Sequence, residues 1–102
     1  MIPLLEKKRP VIKRLCRRYH VETLYVFGSA ATGEFDSDES DLDFLVEFER
    51  TEEMKLADQY FGLLEDLREL FNRDVDLLTP RSLRNPYFTA EVNRTREAVY
   101  AA

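Results

Sequence analysis

The chain has 102 residues, 44% of them hydrophobic and 34% charged, with a formal net charge of −5. That length suits one compact domain over residues 1–102 rather than two, and the acidic balance argues against bulk nucleic-acid binding. One cysteine, Cys16, and one histidine, His20, exclude an internal disulfide framework and a Cys/His zinc cluster. No apolar run is long enough to span a membrane, and the first residues lack the apolar region of a signal peptide, so a cytoplasmic protein is expected.

In chain order, the basic segment carrying Lys7, Lys8, Arg9, Lys13, Arg14, Arg17 and Arg18 reads as a helix to about Tyr19. Leu5, Ile12, Leu15 and Tyr19 share one face, and Pro10 is expected to kink the helix or start a new one. Its cations read as a solvated face, as a surface for an acidic partner or RNA, or as neutralised by the chain's own acidic segment. His20 reads as a turn residue and Cys16 as a small core residue. Residues 23–27 form a short buried strand ended by Gly28. Small residues follow, enough for one helical turn, and then a polar loop over 34–40. Residues 42–48 read as a second strand.

Thr51 is placed to cap a long helix running to about Phe71. Leu56, Tyr60, Leu63, Leu67 and Leu70 recur every three or four positions as an amphipathic stripe, with Phe61, Leu64 and Phe71 off its line. Residues 75–79 form a third strand, stopped by Pro80. Asn85 and Pro86 look like an N-cap and first helical residue. The final helix is expected to reach about Val99, with Phe88, Val92 and Val99 facing the core and Tyr87 packed beside them. The order predicts an α/β or α+β fold, a small mixed sheet packed with helices.

The chemistry concentrates in the middle of the chain. Asp41 and Asp43 are one residue apart at the start of a strand, so both carboxylates face one side while Leu42 and Phe44 face the other. Two adjacent carboxylates repel unless a cation neutralises them, and an all-oxygen site suits Mg²⁺ or Mn²⁺. Asp76, between Val75 and Leu77 on the third strand, supplies a third acid if the two strands are neighbours. That would match two-metal phosphoryl chemistry. Gly28 lets the backbone approach a ligand closely, and backbone amides with the Ser29 hydroxyl could hold phosphate oxygens. A calcium loop through Asp36, Asp38, Ser40 and Glu47 competes, but Asp41 stands where its sharp turn needs glycine.

Gly28-Ser29-Ala30-Ala31-Thr32-Gly33 followed by Ser40-Asp41-Leu42-Asp43-Phe44-Leu45-Val46 resembles the signature of the polymerase-beta-like nucleotidyltransferases, and most of all their minimal nucleotidyltransferase (MNT) group. Val75-Asp76-Leu77-Leu78-Thr79-Pro80 is similar to the strand carrying that family's third acid. One departure is Thr32, where the pattern commonly has Arg. The resemblance implies that fold, with ATP phosphates near Gly28 and Ser29 and two Mg²⁺ ions (or Mn²⁺) held by Asp41, Asp43 and Asp76. It implies transfer of AMP to a hydroxyl, with pyrophosphate leaving. Many MNT proteins are antitoxins, so the implied acceptor is a tyrosine of a partner HEPN-domain ribonuclease toxin, with which a hetero-oligomer would form. The alternatives are an antitoxin that only binds and a transferase acting on a small molecule.

Overall fold

Residues 1–33 and 41–102 are described by the computed structural model. The expected polar loop over 34–40 lies outside them, and with it most of the competing calcium loop.

Alternating apolar side chains build the sheet that organises the chain. Its four strands run in the order β3-β2-β1-β4. β1 (Val21–Phe27) pairs antiparallel with β2 (Leu42–Phe48) and with β4 (Glu97–Ala101), and β2 pairs parallel with β3 (Val75–Leu78). Leu24, Val26, Leu42, Phe44, Val46, Val75 and Leu77 share one face. They are buried there with Leu5, Ile12 and Leu15 of helix α1 (Pro3–Arg18) and Leu63, Leu67 and Phe71 of helix α3 (Leu56–Phe71). The opposite face carries a smaller cluster, in which Val92 of helix α4 (Pro86–Thr95) packs with Phe27 and Leu45. The family-like mixed sheet with helices on it is therefore observed, and β2 spans the residues read from the sequence.

Four expectations need correction. Pro10 does not start a new helix, since α1 runs unbroken from Pro3 to Arg18. Pro10 and Glu6, whose carbonyl loses its helical partner, both lie on the exposed face, where water can satisfy that oxygen. Thr51 does not cap α3. Its hydroxyl accepts a local bond from the Glu53 amide at 3.1 Å, and the helix begins at Leu56. The final helix stops at Thr95, and Val99 is buried in a fourth strand instead. The Tyr87-Phe88 pair is not core, with exposures of 87% and 42%.

The stripe on α3 is also rotated from the expected line. Leu63 and Leu67 are buried as read, but the other buried positions are Gln59 and Phe71, while Leu56 is exposed. Gln59 Nε2 donates to the Tyr19 carbonyl at 2.9 Å and to the Glu49 carbonyl at 3.0 Å. One amide thus ties the ends of α1 and β2 to α3. Gln59→Ala is expected to lower stability by about 2 kcal/mol, because two carbonyls lose their donor. The check is a shifted urea midpoint at unchanged slope. Gly62 has its own reason for being small: a β-carbon there would strike the Tyr19 ring. His20 takes a left-handed turn conformation, φ 55°, and its Nε2 lies 3.3 Å from the Glu53 carboxylate. Cys16 is fully buried in the main cluster. The Asn85 cap is as read, its side chain accepting from the Tyr87 and Phe88 amides.

Candidate functional site

The parallel register of β2 and β3 sets Asp43 directly beside Asp76. Both alternate away from the main core, on the face that also carries Leu45 and Leu78. The two carboxyl groups are close enough to act on each other, and Asp76 disfavours the charged form of Asp43. Asp41 precedes the first strand residue and is exposed, close enough for its charge to act on Asp43. Burial first, then the Asp76 charge and hydrogen bond, then Asp41, push the Asp43 carboxyl up from its ordinary 3.8 to about 6. Asp74 lies one residue before β3, exposed, its carbonyl accepting from the Leu42 amide at 3.3 Å.

Across the sheet, Asp43 also pairs with Phe27, the last residue of β1. The chain then turns at Gly28 into the short helix α2 (Ser29–Thr32). Gly28 has φ 70° and ψ −147°, a region essentially reserved for glycine. A β-carbon at Gly28 would lie 3.0 Å from Asp43 Oδ2. The turn and the Asp43 carboxylate therefore occupy one place.

The donors of the turn are divided. The Gly28 amide donates to Thr95 Oγ1 at 3.1 Å. The amides of Ala31 and Thr32 donate to the Gly28 carbonyl, and that of Gly33 to the Ser29 carbonyl. A phosphate would therefore meet the Ser29 amide and hydroxyl and the Ala30 amide, not the amide of Gly28. Thr95 was not expected here. The sequence offered no signal for it, because the helix was read as passing through that position.

The chemistry of the donor set can be tested against a metal ion. Among the described residues no group of three His, Cys, Asp or Glu side chains is arranged to hold an ion by itself. Of the three expected acids, Asp43 and Asp76 are register neighbours, and Asp41 acts on Asp43 from one residue before the strand. Mg²⁺ is commonly bound by one or two carboxylates together with substrate phosphates and water. Two neighbouring carboxylates that disfavour each other's charge, beside a turn with amide and hydroxyl donors, fit that mode.

A family model described as a nucleotidyltransferase domain matches residues 8–99. A protein of Methanocaldococcus jannaschii, provisionally named a protein adenylyltransferase, is 36% identical over 84 residues, covering 82% of this chain and 79% of its own. A solved structure provisionally described as a minimal nucleotidyltransferase is 34% identical with a TM-score of 0.71, covering 91% of this chain and 90% of its own. The fold is shared with a more distant structure, a tri-AMPylated HEPN toxin of Shewanella oneidensis in complex with an MNT antitoxin. That match is 20% identical with a TM-score of 0.64, covering 96% of this chain and 73% of the other.

Proposed function

The chain belongs to the nucleotidyltransferase domain family, and we propose that it transfers AMP from ATP to a tyrosine hydroxyl of a partner HEPN ribonuclease toxin, silencing it as an antitoxin. The observation that carries this reading is the Asp43–Asp76 pair set beside the Gly28 turn. Two relationships support it. The relative at 36% identity is named for protein adenylylation, and the fold is shared with an MNT antitoxin bound to an AMPylated toxin.

In this reading Asp41, Asp43 and Asp76 would hold Mg²⁺ (or Mn²⁺). Bound there, the metal supplies positive charge that neutralises the phosphates and the leaving pyrophosphate. The Ser29 amide and hydroxyl and the Ala30 amide hold phosphate oxygens and fix their direction. The acceptor hydroxyl oxygen bonds to the α-phosphorus as its proton passes to Asp76. The bond from α-phosphorus to the bridging oxygen breaks, and pyrophosphate departs with that electron pair.

The test incubates the protein with ATP labelled at the α-phosphate, Mg²⁺ and a HEPN-domain protein from the same genome. Label is expected on a tyrosine of the partner, located by mass spectrometry, and is expected to vanish with the Asp41→Asn/Asp43→Asn variant. If no label reaches the partner while the double variant still neutralises toxicity, the chain is a binding-only antitoxin and the catalytic reading fails.

A further inference from the structure

Gln59 and Thr95 are the buried polar side chains among the described residues. Gln59 ties loops together far from the carboxylates, whereas Thr95 ends at the phosphate turn. We propose that Thr95 is a positioning residue of the transfer site, fixing the peptide plane between Phe27 and Gly28 and, through it, the direction of Ser29. This inference rests on the function proposed above.

Thr95 is the last residue of α4 and is 9% exposed. Its hydroxyl donates to the Glu91 carbonyl one turn back at 3.0 Å. With the proton committed to its own helix, the oxygen is left as an acceptor, and the Gly28 amide meets it at 3.1 Å. Thr95 is itself held on two sides. Val92 of the same helix packs with Phe27 and Leu45. On its other side the chain becomes extended at Arg96, and Glu97 pairs with Val26 of β1. The hydroxyl is therefore anchored both to a helix and to the strand that leads into the turn.

Gly28 needs that anchor. It has no side chain to pack, and its backbone sits in a region with wide freedom around it. Its carbonyl accepts from Ala31 and Thr32, but both belong to the short helix that moves with the turn. The bond to Thr95 ties the Gly28 amide to a separate element. Releasing it frees the peptide plane at the strand end, so that Ser29 swings and the space beside Asp43 Oδ2 changes shape. A hydroxyl that only satisfied a buried amide would affect stability alone. A positioning hydroxyl also sets how tightly a chain of phosphates is held.

The test uses the full chain as wild type and as Thr95→Val, Thr95→Ser and Thr95→Cys. Asn85→Ala, which weakens the other end of α4, serves as the control. Inorganic tripolyphosphate with Mg²⁺ is titrated by calorimetry at a temperature where every variant is folded, and exchange of the Gly28 amide is followed by NMR. Thr95→Val is expected to weaken tripolyphosphate binding about tenfold, with Gly28 exchange accelerated by a similar factor. Thr95→Ser is expected to stay within about threefold of wild type, as is Asn85→Ala. If Thr95→Val does not fold, Thr95→Cys carries the comparison, since its thiol is a weak acceptor at nearly the same size. The proposal is overturned if the Val or Cys variant binds tripolyphosphate as well as Asn85→Ala does. It is equally overturned if the Gly28 amide exchanges as fast in wild type as in Thr95→Val. A wild type that neither binds tripolyphosphate nor transfers AMP would instead sink the proposed function, and amide exchange would still decide the Thr95 link.

Discussion

Replacing Asp43 with Asn is expected to make the metal-free protein more stable at pH 7.5 while removing nucleotide transfer. The Asp43 carboxyl titrates at about 6 in the folded chain, against an ordinary 3.8. Between those values the folded state holds a proton that the unfolded state has lost. Its contribution to stability is therefore present at low pH and fades as pH rises through about 6. At neutral pH the protein folds against a charge it would rather not carry. A rise of that size corresponds to about 3 kcal/mol at most, and solvent around the half-buried group reduces it to about 1 to 2 kcal/mol. Asparagine removes the charge at nearly the same size.

The thermal midpoint should rise by roughly 5 to 10 °C at pH 7.5, with the gain shrinking towards pH 4. Mg²⁺ should raise the midpoint of the wild type and not that of the variant. Transfer should fall by about two orders of magnitude or more. A gain that is independent of pH, or a variant that Mg²⁺ stabilises as well as wild type, would show that the carboxylate pair is not the cation site.

Gly28→Ala should injure the same site from the other side. The backbone there is in a glycine-only region, so alanine costs about 1 to 3 kcal/mol. Its β-carbon would stand 3.0 Å from Asp43 Oδ2, tighter than ordinary contacts, and the carboxylate would have to move. Misplacement of a reacting group by about 1 Å can cost about a hundredfold in rate, and a loss of that order is expected in fully folded protein. Gly33→Ala is the matched comparison. Gly33 also has positive φ, 89°, but a β-carbon there meets nothing within 4 Å among the described residues. It should lose about 1 kcal/mol of stability and keep its transfer rate. Equal rates for both variants at equal folded fraction would remove the Gly28 turn from the site.

The parts of the fold that were legible in the sequence are those where local pattern and tertiary contacts agree. Residues 42–48 alternate as a half-buried strand should, and the core of the sheet alternates with them. The Asn85-Pro86 start of α4 was legible because its cap is local. β4 was not. Val99 is its one buried residue, and Phe88, Val92 and Val99 also fit a helical spacing. Pairing with β1 overrides that pattern from a distance. Thr51 misled because its hydroxyl found a partner two residues away before any helix began. Gln59 was missed because its burial depends on two carbonyls from distant segments. In the candidate site, the order of Gly28, Asp43 and Asp76 along the chain, each at a strand or its end, made their juxtaposition legible. The unequal standing of the acids was not, since it depends on strand register, and Thr95 joins the turn across 67 positions of sequence.

The buried thiol of Cys16 makes the chain a stopwatch for its own opening. Burial pushes that thiol up to about 12, and only the thiolate reacts with disulfide or alkylating reagents. In the closed structure the sulfur is both uncharged and out of reach. Labelling must therefore await a fluctuation that parts α1 from the sheet. The speed at which the single cysteine takes up a thiol reagent counts those excursions directly, without denaturant and without a probe added to the protein.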